Sequence, residues 1–255
     1  ICNSLPYRQS RKVYLAVYAA ERTGNPHAFD HGTRDGHLLE QIIEKDLELR
    51  NRKVELSEAF PAYKRQKSYL LAGLLIDDVS NYALLSGVHA VKKDGVYHRG
   101  MEGFCAEQNM VQVPLAVLSE WERMECDHNE IWIVENPSIF ARLCGEHPCM
   151  CMNGQPRLAG LLVLDLLAEA GTVIHYAGDL DPEGLLIAQK LSQYYKGAFY
   201  YWHMTEEDYH MCRSEEALSE RRIGMLQKIT DPQLLPVARA IAEYGMAGYQ
   251  EKIDY

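Results

Sequence analysis

The 255-residue chain has no run of 18 apolar residues and no charged stretch leading into an apolar one. A membrane span and a cleaved export signal therefore have no basis in the sequence. The seven cysteines are odd in number and irregularly spaced. That excludes a legible disulfide framework and points to reduced thiols in a cytoplasmic protein. Basic residues are also scarce, 26 Lys and Arg against 36 Asp and Glu, for a net charge of −10. A uniformly basic nucleic-acid-binding surface is excluded by that balance. Support for a zinc site is thin as well. The loop with His27, Asp30 and His31 has no neighbouring Cys and no Glu-x-x-His pair, so it reads as an ordinary polar loop. The set Cys144, His147, Cys149 and Cys151 offers a zinc site as one reading, but Cys149 and Cys151 alternate along an expected strand and point the same way, into a core or onto one face. The chain starts at Ile1 rather than Met, and a further N-terminal portion is expected in the natural protein.

What is present suits two modest domains, with a boundary at 127/128. Residues 1–127 hold 16 Lys and Arg against 18 Asp and Glu, and residues 128–255 hold 10 against 18. The acidity therefore lies in the second half. The first half reads as mainly helical. One helical stretch breaks at Thr23-Gly24-Asn25-Pro26, a second helix runs over about 34–49, and an apolar stretch from Tyr69 ends at Asp77-Asp78. The weakly strand-like segment 88–97 suits a winged-helix module, and a helix is expected over about 115–125. Arg50, Arg52, Lys53, Lys64, Arg65 and Lys67, interleaved with Phe60 and Tyr63, are the candidate phosphate-contacting surface, against the alternative of a solvated helix face.

The second half is punctuated more sharply. Strands are expected at 131–134, 148–152, 173–177 and 198–202. Between them, Pro137, Pro156 and Pro182 open helices and Gly145, Gly171 and Gly197 close them. Strands alternating with helices read as βαβ units in a parallel sheet flanked by helices. Chemistry in such sheets collects at the carboxyl ends of the strands. Glu135 ends the first of these strands, and Asp179 and Asp181 follow the third. Three carboxylates converging on one edge repel one another unless a divalent cation neutralises them, which suits Mg²⁺ or Mn²⁺. The alternative is that Asp181 is only a helix cap and Asp179 only a turn residue. The tail from Met204 reads as a helical packing lid.

A lone Glu after one strand and Asp-x-Asp after a later one resembles the Toprim domain of topoisomerases, primases and nucleases. The segments V-E-N-P at 134–137, N-G-Q-P at 153–156 and Y-A-G-D-L-D-P-E-G-L-L-I-A at 176–188 resemble the Toprim-domain nuclease family of the Wadjet subunit JetD. T-G-N-P-H-A-F-D at 23–30 and G-L-L-I-D-D-V-S-N at 73–81 resemble the N-terminal part of the same family. The resemblance implies a Rossmann-like catalytic domain built like that of the topoisomerase VI A subunit. It implies an Mg²⁺- or Mn²⁺-dependent endonuclease acting on double-stranded plasmid DNA beside SMC-type condensin subunits, and it allows a homodimer. Glu135 is then the general acid/base, Asp179 and Asp181 are metal ligands, and Glu251 in G-Y-Q-E-K-I matches a late Glu of the family. No Tyr here matches the nucleophile motif of the topoisomerase relatives, which favours hydrolysis by activated water. Two rivals remain. A HAD-like phosphatase also uses Asp-x-Asp, but on its first strand and without Pro182 after it. A catalytically silent DNA-binding scaffold would carry the carboxylates as a vestige.

Overall fold

The computed structural model describes residues 2–76 and 80–253. The Asp77-Asp78 pair expected to end the apolar stretch, and Asp77 to Val79 of the 73–81 motif, lie outside them. The chain opens with β1 (Val13–Tyr14), α1 (Leu15–Thr23), α2 (Arg34–Leu49), α3 (Pro61–Leu71) and β2 (Leu74–Leu75). There follow β3 (Tyr82–Ser86), β4 (Val88–Lys92), α4 (Arg99–Ala106), β5 (Val111–Pro114), α5 (Leu115–Leu118) and β6 (Trp121–Cys126). Strands and helices then alternate as β7 (Glu130–Val134), α6 (Pro137–Leu143), β8 (Cys149–Cys151), α7 (Leu158–Glu169), β9 (Val173–Ala177), α8 (Pro182–Tyr194) and β10 (Phe199–Tyr201). The tail forms α9 (Glu206–Cys212), β11 (Arg213–Ala217), α10 (Glu220–Met225), α11 (Leu235–Tyr244) and β12 (Met246–Gly248).

Two compact units result, Ile1–Tyr82 with Pro114–Ser119, and Ala83–Val113 with Glu120–Tyr255. The sequence reading instead draws one boundary at 127/128. The first unit is helical, as expected. In α2 the residues Leu39, Ile43 and Leu47 recur at a spacing of four and are all buried. Thr33 caps that helix by accepting the Gly36 N–H at 2.9 Å. On its buried side Asp46 accepts from Tyr7 Oη at 2.7 Å and Arg8 Nη2 at 2.9 Å, and pairs with Arg50 Nε at 2.8 Å.

The second unit is built on a six-stranded sheet in the order β10-β9-β7-β8-β3-β5. The pairs β10/β9, β9/β7 and β7/β8 are parallel and β8/β3 is antiparallel. The mostly parallel sheet flanked by helices agrees with the α/β expectation. Helices start at Pro137 and Pro182 as the punctuation predicts. The third starts at Leu158, two residues past Pro156, because the left-handed turn at Asn153 and Gly154 is followed by an extended Arg157. In α7 nearly every residue from Leu158 to Leu167 is buried, which explains why its sequence is apolar all round.

Two expectations for 83–127 are corrected. The helix expected over 115–125 is a single turn followed by the strand β6, which pairs antiparallel with β4 from Val88↔Cys126 to Lys92↔Trp121. Trp121 and Met124 are buried there, and long-range pairing overrides the helical propensity of the Glu- and Met-containing run. The segment 88–97, read as part of a winged helix, therefore belongs with the sheet-bearing unit.

The register of the two central strands positions the chemistry. Val134 lies opposite Ala177 in the β7/β9 pair, so the residues that follow, Glu135 and Gly178-Asp179, leave the sheet side by side. The turn into α8 is tight. A methyl group on Gly184 would lie 2.2 Å from the Asp179 carbonyl oxygen, a backbone atom that cannot swing away. Gly184→Ala is therefore expected to destabilise the fold by about 1–3 kcal/mol through overpacking. Gly103→Ala, in helix α4 with open space around it, is expected to stabilise by up to about 1 kcal/mol. Thermal unfolding of the two variants beside the parent measures the contrast.

Candidate active site

Each acidic residue is placed by a different local cause. Glu135 continues β7, its N–H donating to the Ala177 carbonyl at 3.2 Å. Asn136 then caps α6, accepting the Ser138 N–H at 2.7 Å, and Pro137 occupies the first helical turn. Asp181 caps α8 in the same way, its Oδ1 accepting the Gly184 N–H at 2.7 Å. Asp179 lies between strand and cap, and its Oδ1 accepts the Gln250 N–H at 3.0 Å. Gly178 makes the turn passable for Glu135: a methyl there would stand 3.2 Å from Glu135 Oε2 and 3.2 Å from Tyr176 Oη.

The tail joins both turns. Leu180 and Gly248 exchange two backbone hydrogen bonds, each 2.9 Å. Gln250, fully buried, accepts the Asn136 N–H on its side-chain oxygen at 3.2 Å, and Glu251 accepts Asn136 Nδ2 at 2.5 Å. The expected lid is therefore a clasp that ties the end of β7 to the end of β9. It also delivers Glu251 to the acidic edge.

The electrostatics follow from crowding and burial. Burial, then the charges of Asp179 and Asp181, push Glu135 up from 4.5 to about 7. Asp179 is raised by burial and by Asp181 and Glu251, against the opposing Gln250 N–H. Burial raises Asp181 too, opposed by the Gly184 N–H and by Arg222. Arg222 reaches across from α10, placing Nη2 2.5 Å from Asp181 Oδ2 and 2.7 Å from Glu183 Oε2. Glu135 Oε2 and Tyr176 Oη are buried without a hydrogen-bond partner among the described residues. A buried carboxylate oxygen left unpaired is costly unless protonated or bound to a cation.

Among the described residues no three His, Cys, Asp or Glu side chains stand in an arrangement that would hold a metal ion as they are. The donor set nevertheless suits a hard divalent cation: the unpaired Glu135 oxygen and the two aspartates are all carboxylates on one sheet edge. The cysteine set behaves as core. Cys149 and Cys151 are buried under α6, and His147 stacks on Trp132 at 4.3 Å. His27 pairs with Asp30, and His31 with Glu40.

The basic residues of the first unit are largely engaged. Arg50 is bound to Asp46 and lies over the Tyr7 ring, Lys64 pairs with Glu44 at 2.6 Å, Arg65 stands 3.9 Å from Glu40, and Lys67 donates to Tyr63 Oη. Arg52 and Lys53 are exposed. Sequence reasoning missed Arg222, Gln250 and Gly178 as parts of the site. Gly178, set between a strand and an aspartate, was the one with a local signal. The other two act from distant segments.

The raised Glu135 pKa has a definite sign. The folded state holds its proton to about 7 while the unfolded chain releases it near 4.5, so metal-free stability falls as pH rises through that window. Glu135→Gln is expected to remove this slope and to melt higher than the parent at pH 8 in a chelator. Melting temperatures from pH 4.5 to 8 test it, and parallel curves for the two proteins would refute it.

No curated protein matches the chain. Residues 2–90 match a family described as "Protein of unknown function N-terminus (DUF3323)". The longer match, over 111–254, takes in both acidic turns and the clasp. It covers more than half of the sequence, and the chain belongs to the family described as "Protein of unknown function C-terminus (DUF2399)".

Proposed function

We propose that the chain is the divalent-metal-dependent DNA endonuclease subunit of a Wadjet-type anti-plasmid system, a relative of JetD that works beside SMC-like condensin subunits in the cytoplasm. One observation carries the reading. A buried, unpartnered Glu135 oxygen lies beside Asp179 and Asp181 where two parallel strands end together. The sequence resemblance points the same way. Among the described residues no helix is long and apolar enough to cross a membrane.

In this reading Asp179 and Asp181 hold Mg²⁺ or Mn²⁺, with Glu135 and Glu251 as further oxygen donors at the same edge. The bound ion supplies charge neutralisation at the phosphodiester and lowers the pKa of water. Glu135, at the same edge, takes the proton of an attacking water or returns one to the leaving 3′ or 5′ oxygen. Gln250 holds Asp179 in place while the Leu180–Gly248 bridge keeps the Asp-x-Asp turn from opening. Tyr176 feels the charge of Glu135 but is fully buried, so it serves packing and not nucleophilic attack.

Supercoiled plasmid with Mn²⁺ tests the reading and separates it from a phosphatase or a silent scaffold, since only an endonuclease nicks or linearises it. Glu135→Gln is expected to cut about 10²–10⁴-fold more slowly. It should keep more of the Mn²⁺-induced rise in melting temperature than Asp179→Asn, because only native-state ligation stabilises. Intact plasmid under all metal conditions would overturn the reading.

DNA binding is assigned first to Arg52 and Lys53, with Lys64, Arg65 and Lys67 available once their partners yield. Replacing Arg52 and Lys53 by Gln is expected to lower the log-log salt slope of plasmid binding by roughly one for each phosphate no longer neutralised. A slope equal to the parent's would place the DNA elsewhere.

A further inference from the structure

The Asp-x-Asp turn already holds a cation of the protein's own. Arg222 Nη2 lies 2.5 Å from Asp181 Oδ2 and 2.7 Å from Glu183 Oε2, while its Nε donates to both Glu183 oxygens at 3.1 and 2.9 Å. The other Asp181 oxygen is taken by the Gly184 N–H. Both oxygens of Asp181 are therefore engaged, whereas Glu135 keeps one oxygen unpaired. A divalent ion on Asp181 Oδ2 and a guanidinium on the same atom repel each other and exclude each other sterically. The two cations must compete.

We infer that Arg222 is a resident counter-cation on Asp181 that a divalent ion displaces, and that the displaced guanidinium stays tethered to Glu183 as a phosphate-binding arm. The inference rests on the metal-dependent reading of the same site. Its geometry explains the two halves of the side chain's bonding. The Nε hydrogen bonds belong to Glu183 alone and survive displacement, and the Nη2 bond to Asp181 is the one given up. A guanidinium carries five donors in a planar fork, and with Nε and one hydrogen of Nη2 held on Glu183, Nη1 and the Nη2 hydrogen given up by Asp181 remain to engage phosphate oxygens. The Arg222 side chain is 24% exposed, so it has solvent on one side into which to move. The arrangement also accounts for the absence of a ready three-carboxylate cage among the described residues. Asp181 is drawn toward α10 by Arg222, while Asp179 is drawn toward Gln250.

Calorimetric titration of Mn²⁺ alone into the full chain tests this, using the parent, Arg222→Lys and Arg222→Gln. Removing the competing charge is expected to tighten Mn²⁺ binding about tenfold in Arg222→Gln. Arg222→Lys keeps a point charge without the fork and should tighten binding roughly threefold. Plasmid cleavage should nevertheless fall in Arg222→Gln, because the arm is gone. Unchanged or weaker Mn²⁺ binding in a variant that melts like the parent would overturn the resident-cation role. Cleavage at the parental rate would overturn the phosphate arm. Should Arg222→Gln fail to fold, the Lys variant decides alone, and an affinity equal to the parent's overturns the inference. Parental cleavage together with unaltered Mn²⁺ affinity in the variants refutes this inference and leaves the nuclease standing. Tighter Mn²⁺ binding with a parent that never cuts plasmid does the reverse.

Discussion

The acidic edge depends on a two-residue antiparallel bridge between Leu180 and Gly248. Leu180 is the residue between the two aspartates, so pinning its backbone sets both side chains at once. Gly248 is the residue that permits it, since a methyl there would meet Cys212 Sγ at 2.7 Å and Leu180 Cβ at 3.2 Å. Gln250 extends the clasp by giving its N–H to Asp179 and its side-chain oxygen to the backbone of Asn136. A loop that would otherwise be free to relieve its charge repulsion is thereby held in one conformation.

That constraint makes the site electrostatically frustrated in a graded way. Burial raises Glu135 most and the charges of Asp179 and Asp181 add to it, so its pKa stands at about 7 despite the opposing Asp179 N–H, and one of its oxygens is buried without a partner among the described residues. Asp179 is eased by one backbone N–H and Asp181 by a cap and a guanidinium. Two carboxylates are thus helped to stay ionised while the third is balanced near neutral pH. Such a spread between neighbouring groups is the usual basis for dividing ligand and acid/base roles.

The same logic works against the basic cluster of the first unit. Its six cations are neighbours in sequence, yet Arg50 is consumed in holding Asp46 and the Tyr7 ring, and Lys64 and Arg65 face carboxylates of α2. Charge counted along a chain is an upper bound on the charge a surface offers a partner. Arg52 and Lys53 lie exposed in the irregular segment after α2 and are the part of the cluster least committed to the fold.

Local chemistry was readable wherever a single short segment carried it. Pro137 and Pro182 open helices, Val173–Ala177 is a strand, and Asp181 caps α8, because caps, Pro at the first turn and β-branched runs act over a few residues. Alternation of these segments was enough for a mostly parallel sheet. Strand pairing over longer range was not readable: β6 reads as helical because its partner β4 lies some thirty residues earlier. The site divides along the same line. The sequence by itself determined which carboxylates stand at strand ends, since strand length and the following cap set that locally. Only the tertiary structure decided that Gln250 and Arg222, some 70 and 40 residues further along the chain, would govern them. Hydrogen bonds and ion pairs between distant segments exist only once the tail has packed back against the sheet, and no local propensity encodes them.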